Sequence, residues 1–155
     1  MDRKIEGFSI LEVLIVIAIL SILMTVSISY YIRYKLDREL TRQANQLLNE
    51  ISWVKSQSIA KEVHGIRVTS NSYTVFVDKD GDCNFTTGDK IVHSVNFSEG
   101  IQGPSSPQTF VFDRKGYSKG ANCALGVVEG TITLKNSYNN TKNIKISRYG
   151  RTRIE

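Results

Sequence analysis

Proline is nearly missing from this sequence of 155 residues, and its first third has almost no glycine. No proline precedes Pro104, and no glycine lies between Phe8 and His64. The usual helix breakers are thus absent from 8–63, which permits a single helix of roughly 80 Å at about 1.5 Å per residue. Charge is absent from a narrower window, residues 13–32. As a helix that window rises roughly 30 Å, the depth of a bilayer core. Histidine is confined to His64 and His93, and cysteine to Cys83 and Cys123. These four show no metal-ligand spacing. No glycine-rich loop carries the lysine expected of a nucleotide site. Ser27 and Ser29 belong to the apolar run and form no activated nucleophile pair. We therefore expect no catalytic residues and no required cofactor.

The apolar run could be a signal peptide, but a signal peptide's hydrophobic region is about 7–15 residues and ends at a small-residue cleavage site. Here the run is longer and passes into Ser29-Tyr30-Tyr31-Ile32-Arg33-Tyr34. Such an aromatic and basic flank suits a membrane interface. The expectation is a retained membrane helix. Arg3 and Lys4 precede it beside Asp2 and Glu6. Counting lysine and arginine alone, the N-terminus is expected on the cytoplasmic side and the remainder outside the cytoplasm. In that compartment a Cys83–Cys123 disulfide is plausible, with two unpaired thiols as the alternative. The formal net charge of +5 permits an anionic partner without naming one.

Glu12 stands at the start of the apolar run, after Gly7-Phe8-Ser9-Ile10-Leu11. A carboxylate there is costly in lipid and calls for a partner. No basic side chain occurs in residues 13–32 to serve as one. Cleavage after Gly7 would create an amine at Phe8 that could neutralise Glu12, most naturally on a neighbouring subunit. The segment Lys4-Ile5-Glu6-Gly7-Phe8-Ser9-Ile10-Leu11-Glu12-Val13-Leu14-Ile15-Val16 resembles the class III signal of type IV pilins and type II secretion pseudopilins. The resemblance implies cleavage between Gly7 and Phe8 by a prepilin peptidase, N-methylation of Phe8, and a role for Glu12 in registering subunits. It also implies other major and minor pilins and an inner-membrane assembly platform as partners. Glu6 departs from the usual basic leader.

Beyond the membrane run the pattern changes. Leu36, Leu40, Ala44, Leu47, Ile51, Val54 and Ser58 form one helical stripe, widened by Leu48 and Trp53. Strands are predicted over 66–69 and 73–77, joined by a turn at 70–72, then over 90–97, 109–112, 126–134, 143–147 and 151–154. Residues 100–107 read as a loop. In the strand over 90–97, Ile91, His93, Val95 and Phe97 share one side. The order of elements resembles the GspH/FimT branch of the pilin family, with landmarks at 78–89, at Phe112-Asp113-Arg114-Lys115-Gly116 and at Gly150-Arg151-Thr152-Arg153. The expected fold is α+β and pilin-like, a long N-terminal helix packed on a small antiparallel sheet. Its parts are a leader at 1–7, a transmembrane and filament-core helix at 8–32, the amphipathic half of that helix at 33–63, and a periplasmic β-rich domain at 64–155.

Two loops carry candidate sites. In the acidic loop, Asp78, Asp80, Asp82, Asn84, Thr86 and Asp89 fall at steps 1, 3, 5, 7, 9 and 12, an echo of a calcium loop. Cys83 stands where that loop needs glycine, and no flanking helices are evident. A solvated turn is the simpler reading and calcium its alternative. At the other end, Lys142, Lys145, Arg148, Arg151 and Arg153 fall within twelve residues. Arginines two apart on a strand share a face and could grip phosphates without reading bases. In the FimT subfamily, a terminal Gly-Arg-x-Arg is associated with double-stranded DNA binding in natural transformation, and Gly150, Arg151, Thr152 and Arg153 match it. The alternatives are an edge that repels stray strands, or a contact with another subunit of a type IV pilus or type II secretion pseudopilus.

Overall fold

The computed structural model describes residues 9–120, 123 and 128–155. One helix, α1 (Ile10–Ala60), runs through two compact units, residues 1–35 and 36–155. Ser9 starts it: the Leu11 amide donates to Ser9 Oγ and the Glu12 amide to the Ser9 carbonyl. In the first unit every described residue whose burial is known is exposed, from Ile10 (82%) through Leu14 (60%) to Ile28 (59%). The helix contains an 18-residue window of mean hydropathy 2.7, long and apolar enough to cross a membrane. Three of its hydroxyls bond back to the helix. Ser21 donates to the Ile17 carbonyl, Thr25 to that of Ser21 and Ser27 to that of Leu23, each at 2.8 Å. A polar side chain satisfied by its own helix costs less in an apolar surrounding.

In the second unit, residues 36–60 of α1 pack on two antiparallel sheets, where the sequence led us to expect one. The first sheet has the order β3-β2-β1-β5-β6, built from β1 (His64–Val68), β2 (Ser72–Val77), β3 (Lys90–Asn96), β5 (Gln108–Phe112) and β6 (Ser118–Lys119). The second has the order β4-β7-β8-β9, from β4 (Ile101–Gln102), β7 (Gly130–Asn136), β8 (Thr141–Ile146) and β9 (Thr152–Ile154). Two of these strands were not anticipated. β4 lies inside the segment read as loop, and β6 is two residues long. Neither shows a periodicity that a sequence pattern could register. The strand expected to start at Gly126 is seen from Gly130, its first two residues lying outside the described ones.

The predicted helical stripe is the spine of the core. Leu40, Ala44, Leu47, Ile51, Val54 and Ser58 are buried, and Leu36 is half-buried. The hydrophobic members meet Ile66, Val68, Tyr73, Val75, Phe110 and Phe112 from the first sheet and Ile132, Leu134, Ile144 and Ile146 from the second. Burying each large side chain is worth roughly 1.5–3 kcal/mol. Ser58 ends the stripe with a polar link: its hydroxyl accepts the His64 amide at 3.0 Å and donates to the Val54 carbonyl. The far face of the first sheet carries a smaller cluster, Phe76, Val111 and Cys83, flanked by Val63 and Phe85. That sheet is thus covered on both faces.

The expected alternation in β3 fails at one point. The register with β2 slips between Val75 and Phe76, so that Val75 faces His93 while Phe76 faces Ile91. Val92 is the extra residue of this bulge, and Ile91 and Val92 are both exposed. A bulge on an edge strand re-aims side chains and discourages further pairing.

Candidate functional site

Gly7 and Phe8, the residues expected at a processing site, lie outside the described ones. Glu12 sits in the first turn of α1, three residues after Ser9. Ser-x-x-Glu is capping-box spacing, and an acid there complements the helix dipole. This spacing was legible in the sequence and was missed.

The five candidate cations do not form one cluster. Strand alternation separates them. In β8, Ile144 and Ile146 point to the core and Lys145 points away. Lys142, one of the five candidates, has the parity of the two isoleucines, so it lies on the opposite face from Lys145. Arg153 pairs in register with Lys145, and the Ser147 amide donates to the Arg151 carbonyl at 2.9 Å. Lys145, Arg151 and Arg153 therefore share the outer face of the second sheet. They line an open groove of about 720 Å³ with Thr131, Ser147, Tyr149 and Glu129. Arg148 is not in its lining and lies 3.7 Å from Glu129.

A single acidic residue holds two of the three groove cations. Glu155 contacts Lys145 at 2.5 Å and Arg153 at 2.6 Å. The hydrogen bond from Lys145 lowers the Glu155 pKa. Among the described residues, neither Arg151 nor Lys142 has an acidic partner. Glu155 continues the alternation of Arg151 and Arg153, and its place on their face could have been read from the sequence.

Gly150 turns the chain, at φ +68°, and is buried. A Cβ at Gly150 would collide with the Gly116 carbonyl and crowd the Lys55 stem at 3.2 Å. Gly116 is itself at φ +79° and packs on Lys55 and Ile59 of α1. The two glycines of separate sequence landmarks thus meet at one knot on the helix. Tyr117 and Tyr149 stack edge-on beside it, with ring centres 5.8 Å apart.

The acidic loop folds by satisfying its own backbone. Asp78 accepts the amides of Gly81 and Cys83, and Asp80 accepts the Asp82 amide and the Thr86 hydroxyl. Asp82 accepts the Asn84 amide, and the Asn84 side-chain oxygen accepts the Phe85 amide. Asp89 accepts the amides of Lys79 and Thr86. Ligand oxygens of Asp78, Asp80 and Asp82 come within 4.8 Å of one another. Burial raises the Asp78 pKa, whereas the Thr86 hydroxyl lowers that of Asp80. Cys83 is joined to Cys123 by a disulfide, both at positive φ (58° and 49°). The bond closes a separation of 40 residues and ties the loop to the chain beyond β6.

The two histidines are engaged. His64 is buried and its Nδ1–H donates to the Glu62 carbonyl at 2.6 Å. His93 lies 3.2 Å from Glu50. Trp53 packs between both rings, at 6.1 and 6.0 Å.

Comparison with known proteins adds a motif and a fold. Residues 2–28 match the family model described as the prokaryotic N-terminal methylation motif. No curated protein matches the chain by sequence. Among solved structures, the minor pseudopilin EpsH of the Vibrio cholerae type 2 secretion system is similar at 14% identity and TM-score 0.54, covering 76% of this chain and 96% of its own. The type IV minor pilin FimU of Pseudomonas aeruginosa is similar at 13% identity and TM-score 0.57, covering 79% and 92%. The present chain thus joins an N-terminal methylation motif to the fold of the type IV minor pilins and minor pseudopilins.

Proposed function

We propose that this chain is a minor type IV pilin, a filament subunit rather than an enzyme, and that its C-terminal groove binds double-stranded DNA. One observation carries the first part: apolar side chains are exposed along the helix from Ile10 to Ile32, while the core is built wholly from residues beyond Lys35. Such a helix needs lipid before assembly and other helices after it. In this reading a prepilin peptidase cuts between Gly7 and Phe8 and Phe8 is N-methylated. The precursor waits in the inner membrane with residues 64–155 in the periplasm. The assembly platform then moves it into a filament beside other major and minor pilins, where the Phe8 amine meets Glu12 of a neighbour. Mass spectrometry after coexpression with a prepilin peptidase tests this. A methylated Phe8 terminus, lost in Gly7→Val, is expected; an intact Met1 terminus would overturn it.

A structural subunit of a type II secretion pseudopilus is the alternative, since the fold is common to both systems. Lys145, Arg151 and Arg153 on one open face favour the DNA-handling reading. Their contacts would be to phosphate, so binding is expected to be sequence-tolerant and to weaken with salt. Duplex binding by the full chain in detergent, compared with Arg151→Ala/Arg153→Ala across a salt series, tests it. Equal binding by both proteins would remove the two arginines from the DNA reading, and no binding at low salt would leave the purely structural role.

A further inference from the structure

Two cations of the groove on the second sheet, Lys145 and Arg153, already hold an anion: Glu155, which stands beside the groove and not in its lining. Backbone pairing fixes where it sits: the Glu155 amide donates to the Asn143 carbonyl at 2.8 Å, and the Asn143 amide donates to a main-chain oxygen of Glu155 at 3.1 Å. Residue 155 therefore extends the β9 ladder, on the face shared by Arg151 and Arg153. From there its carboxylate spans two strands, to Arg153 along its own strand and to Lys145 diagonally on β8.

We infer that Glu155 is an internal counter-ion that competes with phosphate for Lys145 and Arg153 and sets how tightly the groove holds a polyanion. Two features of the site support this. The three side chains are open to solvent, Lys145 at 44%, Arg153 at 60% and Glu155 at 41%. Exposed ion pairs are weak and exchangeable, so an incoming phosphate can displace this one. Arg151, two residues away on the same face, has no acidic partner among the described residues and is available for first contact. A polyanion would meet Arg151, then take Arg153 and Lys145 from Glu155. A single small anion cannot bridge all of these, whereas a chain of phosphates can. The competition discriminates against isolated anions and makes retention depend on several simultaneous contacts. This inference deepens the DNA reading and rests on it.

The test uses the full chain in detergent with two probes, a duplex of arbitrary sequence and inorganic tripolyphosphate. Glu155→Gln removes the side-chain charge, leaves the main-chain carboxylate of residue 155 as it is, and keeps a side chain of the same shape. Glu99→Gln is the control for net charge: Glu99 lies before β4, at the opposite edge of the second sheet from β9. Freed of two exposed pairs, the Glu155→Gln groove is expected to bind duplex roughly three- to tenfold more tightly. Its affinity should also fall more steeply with salt, because more cations meet phosphate directly. If Glu155→Gln binds no better than wild type, or no better than Glu99→Gln, the counter-ion role is wrong while the DNA reading survives. If Glu155→Gln gains on tripolyphosphate and no protein binds duplex, the DNA reading fails and the counter-ion role stands. Absence of binding to either probe by every protein overturns both.

Discussion

The ammonium of Lys55, on α1, donates to the carbonyls of Tyr149 at 3.3 Å and Gly150 at 3.1 Å. Its stem fills the space that a side chain on Gly150 or Gly116 would need. The glycine of the Gly-Arg-x-Arg segment is therefore required by packing, whatever its arginines do. Gly150→Ala is expected to destabilise by about 1–3 kcal/mol through a strained left-handed backbone, with further cost from the collision with Gly116. Arg151→Ala/Arg153→Ala should leave stability within about 0.5 kcal/mol. Thermal unfolding of the three proteins checks this. A Gly150→Ala protein as stable as wild type would contradict the packing role.

The disulfide should matter through the unfolded chain. Closing a loop of this length is worth about 4 kcal/mol by the chain-entropy account. Cys83→Ala/Cys123→Ala is expected to unfold at lower denaturant concentration than the oxidised protein. Reductant should lower the wild-type midpoint and leave the variant unchanged. If reductant shifts both proteins equally, the bond is not the cause.

Acid should weaken the second unit in part through Glu39. Its pKa is lowered to about 2, chiefly by the hydrogen bond from Arg42 and then by Ser98. A carboxylate with a depressed folded pKa stabilises above its unfolded value, near 4.5, and loses that contribution as pH falls toward about 2. Glu39→Gln should be less stable than wild type at neutral pH, with the gap closing across that window. A constant gap from pH 7 to 2 would show that Glu39 acts by shape alone. Buried Asp78 has the opposite sign: its raised pKa weakens folding as pH rises through it.

The acidic loop is expected to stand without calcium. Most of its carboxylates already accept backbone amides, so an ion would have to share oxygens that hold the turn together. Unfolding with calcium or with chelator should give the same midpoint. A rise that grows with calcium concentration would make the loop a binding site, as linkage requires.

Leu47 lies at the centre of the buried stripe with no exposed surface. Leu47→Ala should cost about 2–5 kcal/mol, against less than about 0.5 kcal/mol for exposed Asn49→Ala. Denaturant midpoints distinguish the two.

Much of this molecule follows from local pattern. The uncharged run at 13–32, the absence of helix breakers before His64 and the stripe from Leu36 to Ser58 together dictate a long helix with one apolar half and one amphipathic half. These are properties of side chains a few residues apart, and periodicity reports them directly. The hairpin of β1 and β2 was legible for the same reason. Ser9 and Glu12 were equally local, and their capping spacing was there to be read.

What tertiary structure decided lies between residues far apart in the chain. Only pairing shows that β4 and β6 exist, because two residues carry no period. Only packing brings Lys55, Gly116 and Gly150 to one point, and only the register of β8 and β9 puts Lys145 with Arg153 while turning Lys142 to the other face. The sequence by itself determined which segments seek lipid, core or water, because that depends on composition and spacing. The electrostatics of the C-terminal groove depend on which strands pair and in what register, and the free energy that sets this comes from burying Ile144 and Ile146 against the helix.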